Sequence, residues 1–161
     1  MLFPVISIFV PVMTLILLPY LLKLLHNTAT DSYRVALFFG CLLFFISWYL
    51  PSPLIDGQNT AFTTHFTGGG VFCGFLWLYT MRTMGWRIKN ILLEASSLFA
   101  LVSTLGVANE LAEIFFVKAG LVNIPLTDTS WDLLANTLGA LTFFIAYKIM
   151  SQFSKLRHIS R

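Results

Sequence analysis

The stretch NELAEIFFVKAGLVNIPLTDTSWDLLANTLG, residues 109–139, decides how the chain is organised. It places four of the seven carboxylates, Glu110, Glu113, Asp128 and Asp132, at the edges of two otherwise apolar segments. Burying charge in apolar surroundings is costly, so carboxylates in such segments usually serve a function. The stretch predicts a polar site between apolar helices without naming its reaction or ligand.

The composition is that of an integral membrane protein. Of the 161 residues, 57% are hydrophobic and 11% are charged, and the mean hydropathy is +0.81. Soluble domains carry about 25% charged residues, which excludes a soluble fold for this chain. The net charge is +3, but no basic stripe with interleaved aromatic residues accompanies it, so we predict no nucleic-acid partner.

Five apolar runs predict an all-α bundle of about five transmembrane helices in a single domain, residues 1–161. Each run is of the order needed to cross about 30 Å of hydrocarbon. The first run has neither a preceding basic residue nor a small-x-small cleavage site, so we expect it to remain as a membrane helix. The predicted spans are residues 3–25, 35–50, 62–80, 91–117 and 131–150.

Lysine and arginine predict the orientation of these helices. With five spans, nine of the ten basic residues fall on one side of the membrane and only Lys118 falls on the other. Cytoplasmic loops are enriched in Lys and Arg. The pattern therefore predicts that the N-terminus lies outside and the C-terminus inside.

This topology brings polar residues of three helices to a similar depth in the outer leaflet. His65 lies near the outer start of the third span, Glu110 and Glu113 lie towards the outer end of the fourth, and Asp132 and Asn136 open the fifth. Polar residues scattered through a core would not be expected to converge in this way. We predict that these five side chains form one polar cluster.

The spacing of the last run favours one polar helix face. Asp128, Asp132, Asn136 and Gly139 recur at intervals of four, four and three residues. Such residues share a face if the helix begins by Asp128. That face is expected to point into the bundle, away from lipid.

Glycines follow His65 in the third span. Gly70 and Gly74 have the GxxxG spacing, and two further glycines precede Gly70. Small residues let helix backbones approach closely in membranes. We predict that these glycines serve helix packing, with close approach of a ligand as the alternative.

Three segments carry a resemblance to a known family. THFTGGG, NELAE and DTSWDLLANTLGA resemble the VanZ-like family of small bacterial membrane proteins, and they are also similar to a YjdF-type family of uncharacterised membrane proteins. The likeness covers about residues 56–147 and excludes the first two spans. Carried over to this chain, the family pattern falls on His65, on Glu110 or Glu113, and on Asp132, Asn136 and Gly139.

The chain also departs from the VanZ-like pattern. The Asp that commonly stands shortly before the His is nine residues upstream here, at Asp56, and no Arg lies between Glu113 and Asp132. The resemblance implies a multi-pass protein of the bacterial cytoplasmic (inner) membrane with a cell-envelope role. It suggests a lipid or cell-wall context, and we predict that the polar cluster binds or processes the headgroup of an envelope lipid or lipid-linked precursor.

The chemistry of the predicted cluster leaves the enzyme class open. One imidazole with two or more carboxylates is an adequate ligand set for a divalent metal such as Zn or Mn, which activates water. No HExxH or similar compact motif supports a metal, so the same residues also suit metal-free acid/base catalysis. No Ser or Cys nucleophile is paired with His65, and we predict that Thr63, Thr64 and Thr67 bond to nearby backbone.

Two other classes of function remain open. Intramembrane carboxylates with a histidine also suit a proton- or cation-coupled transporter, although five spans without an internal repeat make a small one. A third alternative is a small accessory or structural subunit, in which the cluster only locks helices together. The predicted partners are membrane lipids, and a homo-oligomer or a larger membrane complex is the further expectation. Cys41 and Cys73 are predicted to be small buried residues without a disulfide.

Overall fold

The computed structural model describes residues 2–25, 33–55, 57–121 and 129–159, and nearly all of them are helical. The predicted all-α class is confirmed. Residues 62–83 form one continuous helical segment, because α3, a π-helix and α4 follow each other directly. The elements are α1 Leu2–Leu25, α2 Arg34–Ser47, β1 Leu54–Ile55, β2 Gln58–Asn59, α3 Phe62–Thr64, the π-helix His65–Val71, α4 Phe72–Thr83, α5 Ile91–Lys118 and α6 Thr129–Ile159.

Each of the five predicted apolar runs contains a helix, but the helices differ in length. Three of them are long and apolar enough to cross a membrane, within Val5–Leu25, Ile91–Lys118 and Thr129–Phe153. Helix α2 has 14 residues and is therefore roughly 21 Å long, which is shorter than the roughly 30 Å of hydrocarbon. It ends before residue 50 because Pro51 and Pro53 follow, and a residue before proline disfavours the helical conformation.

Large apolar side chains cover the outside of the bundle. On α1, Val5 and Phe9 are 59% and 58% exposed. On α5, Leu92 near the start and Phe115 near the end are 74% and 65% exposed. An apolar surface of this extent is unfavourable in water and is typical of helices that face lipid.

Two apolar clusters hold the helices together. The first lies between α4, α5 and α6, and the second lies between α1, α2 and α4. Cys73 belongs to the first and Cys41 to the second; both are buried and free, as the sequence predicts. The first cluster consists of Cys73, Trp77, Met81, Leu98, Val102, Ala140, Phe143 and Phe144, and the second of Leu22, Leu37, Cys41, Phe72 and Tyr79.

The glycines of the third helical segment allow it to touch α6 backbone to backbone. A Cβ atom added at Gly70 would lie 2.7 Å from both Ala140 N and Gly139 Cα, closer than real Cβ atoms come. At Gly74 it would overlap the Phe143 side chain. These contacts confirm the predicted role of the GxxxG pair in helix packing.

Helices α5 and α6 run antiparallel, which separates two polar regions of the bundle. At one end Lys148 Nζ of α6 donates to Glu94 Oε2 of α5. Glu110 is sixteen residues further along α5, or roughly 24 Å at 1.5 Å per residue. We call the end with Glu94 the basic end and the end with Glu110 the acidic end.

Candidate functional site at the acidic end

Three ionisable side chains from three helical segments meet at the acidic end. His65 is the first residue of the π-helix, Glu110 lies two turns before the end of α5, and Asp132 is in the first turn of α6. One possible ligand atom from each lies within 4.8 Å of the other two. Glu110 and Asp132 are only 6% and 2% exposed. The structure thus brings together three of the five residues of the predicted cluster around one small volume.

The closest described charge pair in this cluster joins His65 and Asp132. His65 Nε2 lies 3.4 Å from Asp132 Oδ1, a distance suited to an ion pair and longer than an ordinary hydrogen bond. A carboxylate in the first turn of α6 also interacts favourably with the positive end of the helix dipole. Asp132 can therefore orient the imidazole and stabilise it when it is protonated.

Two carboxylates this close repel one another when both are ionised. Glu110 and Asp132 are both buried, so the surrounding medium screens their repulsion only weakly. A proton or a metal ion taken up by the cluster relieves this repulsion. The arrangement is therefore chemically suited to proton transfer or to cation binding.

Asn136 lies one turn beyond Asp132 and is wedged between the π-helix and α5. It is 4% exposed, and its side chain faces Gly69 on one side and Gly106 on the other. Among the residues that the structure describes, its Oδ1 atom has no hydrogen-bond partner. Asn136 thus places a buried polar group beside the helices that carry His65 and Glu110.

Glu113 is not one of the three clustered residues. Its Oε1 atom accepts a hydrogen bond of 2.7 Å from Asn109 Nδ2, on an exposed part of α5. The predicted positions Asp56 and Asp128 lie outside the described residues. Trp131, at the start of α6, is 37% exposed, and tryptophan is typical of membrane–water interfaces.

The segment before His65 is fixed by contacts with the last residue of α2 and with the loop that follows it. Thr63 Oγ1 donates to Pro51 O at 3.0 Å, and Thr64 Oγ1 donates to Ser47 O at 3.2 Å. The predicted backbone-bonding roles of these two threonines are confirmed. Ala61, whose backbone oxygen accepts from His65 N at 3.1 Å, has a φ of 51°, a left-handed conformation that costs energy for alanine.

The π-helix is the feature of the site that the sequence analysis misses. It covers His65–Val71, and π-helical turns inside helices occur frequently at functional sites. Its sequence, HFTGGGV, contains three consecutive glycines, which weaken the preference for an ordinary α-helix. This glycine run is the signal from which an irregular turn next to His65 could have been predicted.

Comparisons with known proteins give no match: no family model, no curated protein and no solved structure matches this chain. The VanZ-like resemblance stays a prediction. We therefore infer the function from the geometry of the acidic end.

Proposed function

We propose that the protein is a multi-pass membrane protein that binds or processes the headgroup of an envelope lipid or lipid-linked precursor. The proposed site is the cluster of His65, Glu110 and Asp132. The observation that carries this proposal is the approach of the three groups to within 4.8 Å, from three helical segments of an apolar bundle. Ionisable residues inside membrane helices are rare, expensive and usually functional.

The proposal includes the placement of the chain in the membrane. Five crossings, with the basic end inside and the acidic end outside, agree with the enrichment of Lys and Arg on cytoplasmic sides. The cluster would then face the outer leaflet, where headgroups of envelope lipids are found. A bacterial cytoplasmic membrane is the setting that the VanZ-like resemblance implies.

The proposed chemistry is acid/base catalysis on a headgroup ester. His65 accepts a proton from the attacking water or hydroxyl group, and Asp132 orients the imidazole and stabilises its positive charge. Glu110, in its protonated form, donates a proton to the leaving oxygen. Asn136 supplies a polar group close to the helices that bear the reacting side chains.

The first test compares Glu110→Gln with Glu113→Gln in vesicles of a bacterial lipid extract. Mass spectrometry would follow both the conversion of lipid headgroups and the lipids that co-purify with each protein. We expect Glu110→Gln to lower conversion about a hundredfold, because it removes a proton donor, and Glu113→Gln to stay within about twofold. The proposal fails if wild type neither converts nor retains a lipid, or if the two variants behave alike.

A divalent metal centre at the same residues is a second candidate. It is favoured by the donor set, because one imidazole and two carboxylates suit Zn or Mn. Metal bonds of about 2.1 Å place tetrahedral donors roughly 3.5 Å apart. His65 Nε2 and Asp132 Oδ1 already lie 3.4 Å apart, and all three donor atoms lie within 4.8 Å of one another. Elemental analysis of wild type and Glu110→Gln separates the two candidates. One equivalent of metal that is present in wild type and lost in Glu110→Gln supports the metal centre. Absence of metal from wild type contradicts the metal centre.

A further inference from the structure

A second polar region lies at the basic end, away from the proposed site. A cavity of about 580 Å³ opens between the second half of α4, the α4–α5 connection, the start of α5 and residues 147–151 of α6. Among the described residues, its charged lining consists of four cations and one carboxylate: Arg82, Arg87, Lys89, Lys148 and Glu94. The volume falls within the range of about 300–1,000 Å³ that is typical of small-molecule sites.

The cavity has an excess of positive charge. Glu94 is paired with Lys148, so its negative charge is already compensated. Arg82 Nη2 donates to the hydroxyl of Tyr147 at 3.0 Å, a neutral partner that fixes the guanidinium without cancelling its charge. Arg87 adds a second guanidinium beside it. The cavity is therefore suited to an anion, and guanidinium groups are particularly good partners of phosphate.

The uncharged walls of the cavity favour an amphiphilic anion. Trp77, Trp86 and Tyr147 line it, and Trp86 is 56% exposed. Tryptophan and tyrosine are typical of the membrane–water interface. Leu92 and Leu93 at the start of α5 are 74% and 61% exposed, so apolar surface is available next to the basic end for acyl chains.

We propose that this cavity binds the phosphate group of an anionic phospholipid, with its acyl chains along the apolar surface of α5. The proposal is independent of the chemistry at the acidic end, because Glu94 and Glu110 are roughly 24 Å apart along α5. Free phosphate carries the same phosphate group as the lipid headgroup. The experiment must therefore distinguish free phosphate from the lipid.

The test titrates the detergent-solubilised full-length protein with short-chain phosphatidylglycerol and follows tryptophan fluorescence. Trp77 and Trp86 line the cavity and report occupancy. The test variant is Arg87→Gln/Lys89→Gln. The matched control is Lys23→Gln/Lys118→Gln, which removes the same charge from exposed residues that do not line the cavity.

We expect saturable binding to wild type that weakens about 25-fold in the test variant, because each of the two basic residues near an anionic headgroup contributes about fivefold. The control and Arg87→Lys, which keeps the charge, are expected to stay within about threefold. If millimolar inorganic phosphate competes with phosphatidylglycerol, the result supports an anion site for a soluble ligand. If inorganic phosphate does not compete, the result supports the lipid as the ligand. No saturable response, equal binding of short-chain phosphatidylcholine, or equal affinities in the test and control variants would overturn the proposal.

Discussion

Replacing His65 with alanine is expected to lower headgroup conversion by about a thousandfold in reconstituted vesicles. The imidazole is the one group of the cluster that carries a positive charge when protonated, and it lies 3.4 Å from Asp132. General acid/base groups contribute about 10²–10⁴-fold to the rate. The initial rate of headgroup conversion by wild type, His65→Ala and Glu113→Gln measures the effect, and Glu113→Gln is expected to stay within about twofold.

A double variant separates a catalytic role of Asp132 from a structural one. If Asp132 acts through His65, then Asp132→Asn lowers the rate in the wild-type background but has little further effect in the His65→Ala background. Asp132 is then a positioning residue. His65→Gln, which preserves much of the side-chain volume, controls for collapse of the site. A wild-type rate in His65→Ala, with the thermal unfolding midpoint unchanged, would contradict the proposed acid/base role.

The helices were largely predictable because their signals are local. The predicted fourth span, 91–117, agrees with α5, which begins after Asn90, whose Oδ1 accepts from Leu92 N at 2.9 Å and Leu93 N at 3.3 Å. This is an ordinary helix cap that the sequence displays. Helix α6 continues beyond the predicted end at residue 150 to Ile159, because a polar segment can extend a helix without contributing to an apolar run.

The meeting of His65, Glu110 and Asp132 at one end was also predictable, because successive helices that run up and down bring alternate ends together. The choice between Glu110 and Glu113 was not. Residues three apart share a broad helix face, so their spacing does not reveal which one meets a neighbouring helix. Packing decides it: Glu110 lies one turn beyond Gly106, where α5 comes close to α6.

A large loss of stability is expected for Gly70→Ala, at the contact between the π-helix and α6. The added methyl group would overlap Asn136 O and lie 2.7 Å from Ala140 N. Backbone atoms of a packed helix cannot move aside as the end of a side chain can, so the helices must separate. Overpacking of this kind costs about 3 kcal/mol at the upper end of its usual range. Thermal unfolding in detergent, followed by circular dichroism, measures the loss.

Gly106→Ala provides the matched control, because it is the same substitution in a helix that faces the same partner. Its methyl group would lie 3.1 Å from Asn136 Nδ2 and 3.3 Å from Leu133 Cδ2, which are atoms at the ends of side chains and need to move by only a few tenths of an ångström. Alanine also favours the helix over glycine by about 1 kcal/mol, which offsets part of the crowding. We therefore expect Gly106→Ala to change the free energy of unfolding by less than about 1 kcal/mol. The backbone contact at Gly70 is expected to fix the distance between the π-helix and α6, and hence the position of His65 relative to Asp132. Equal destabilisation by the two substitutions would contradict this role of Gly70.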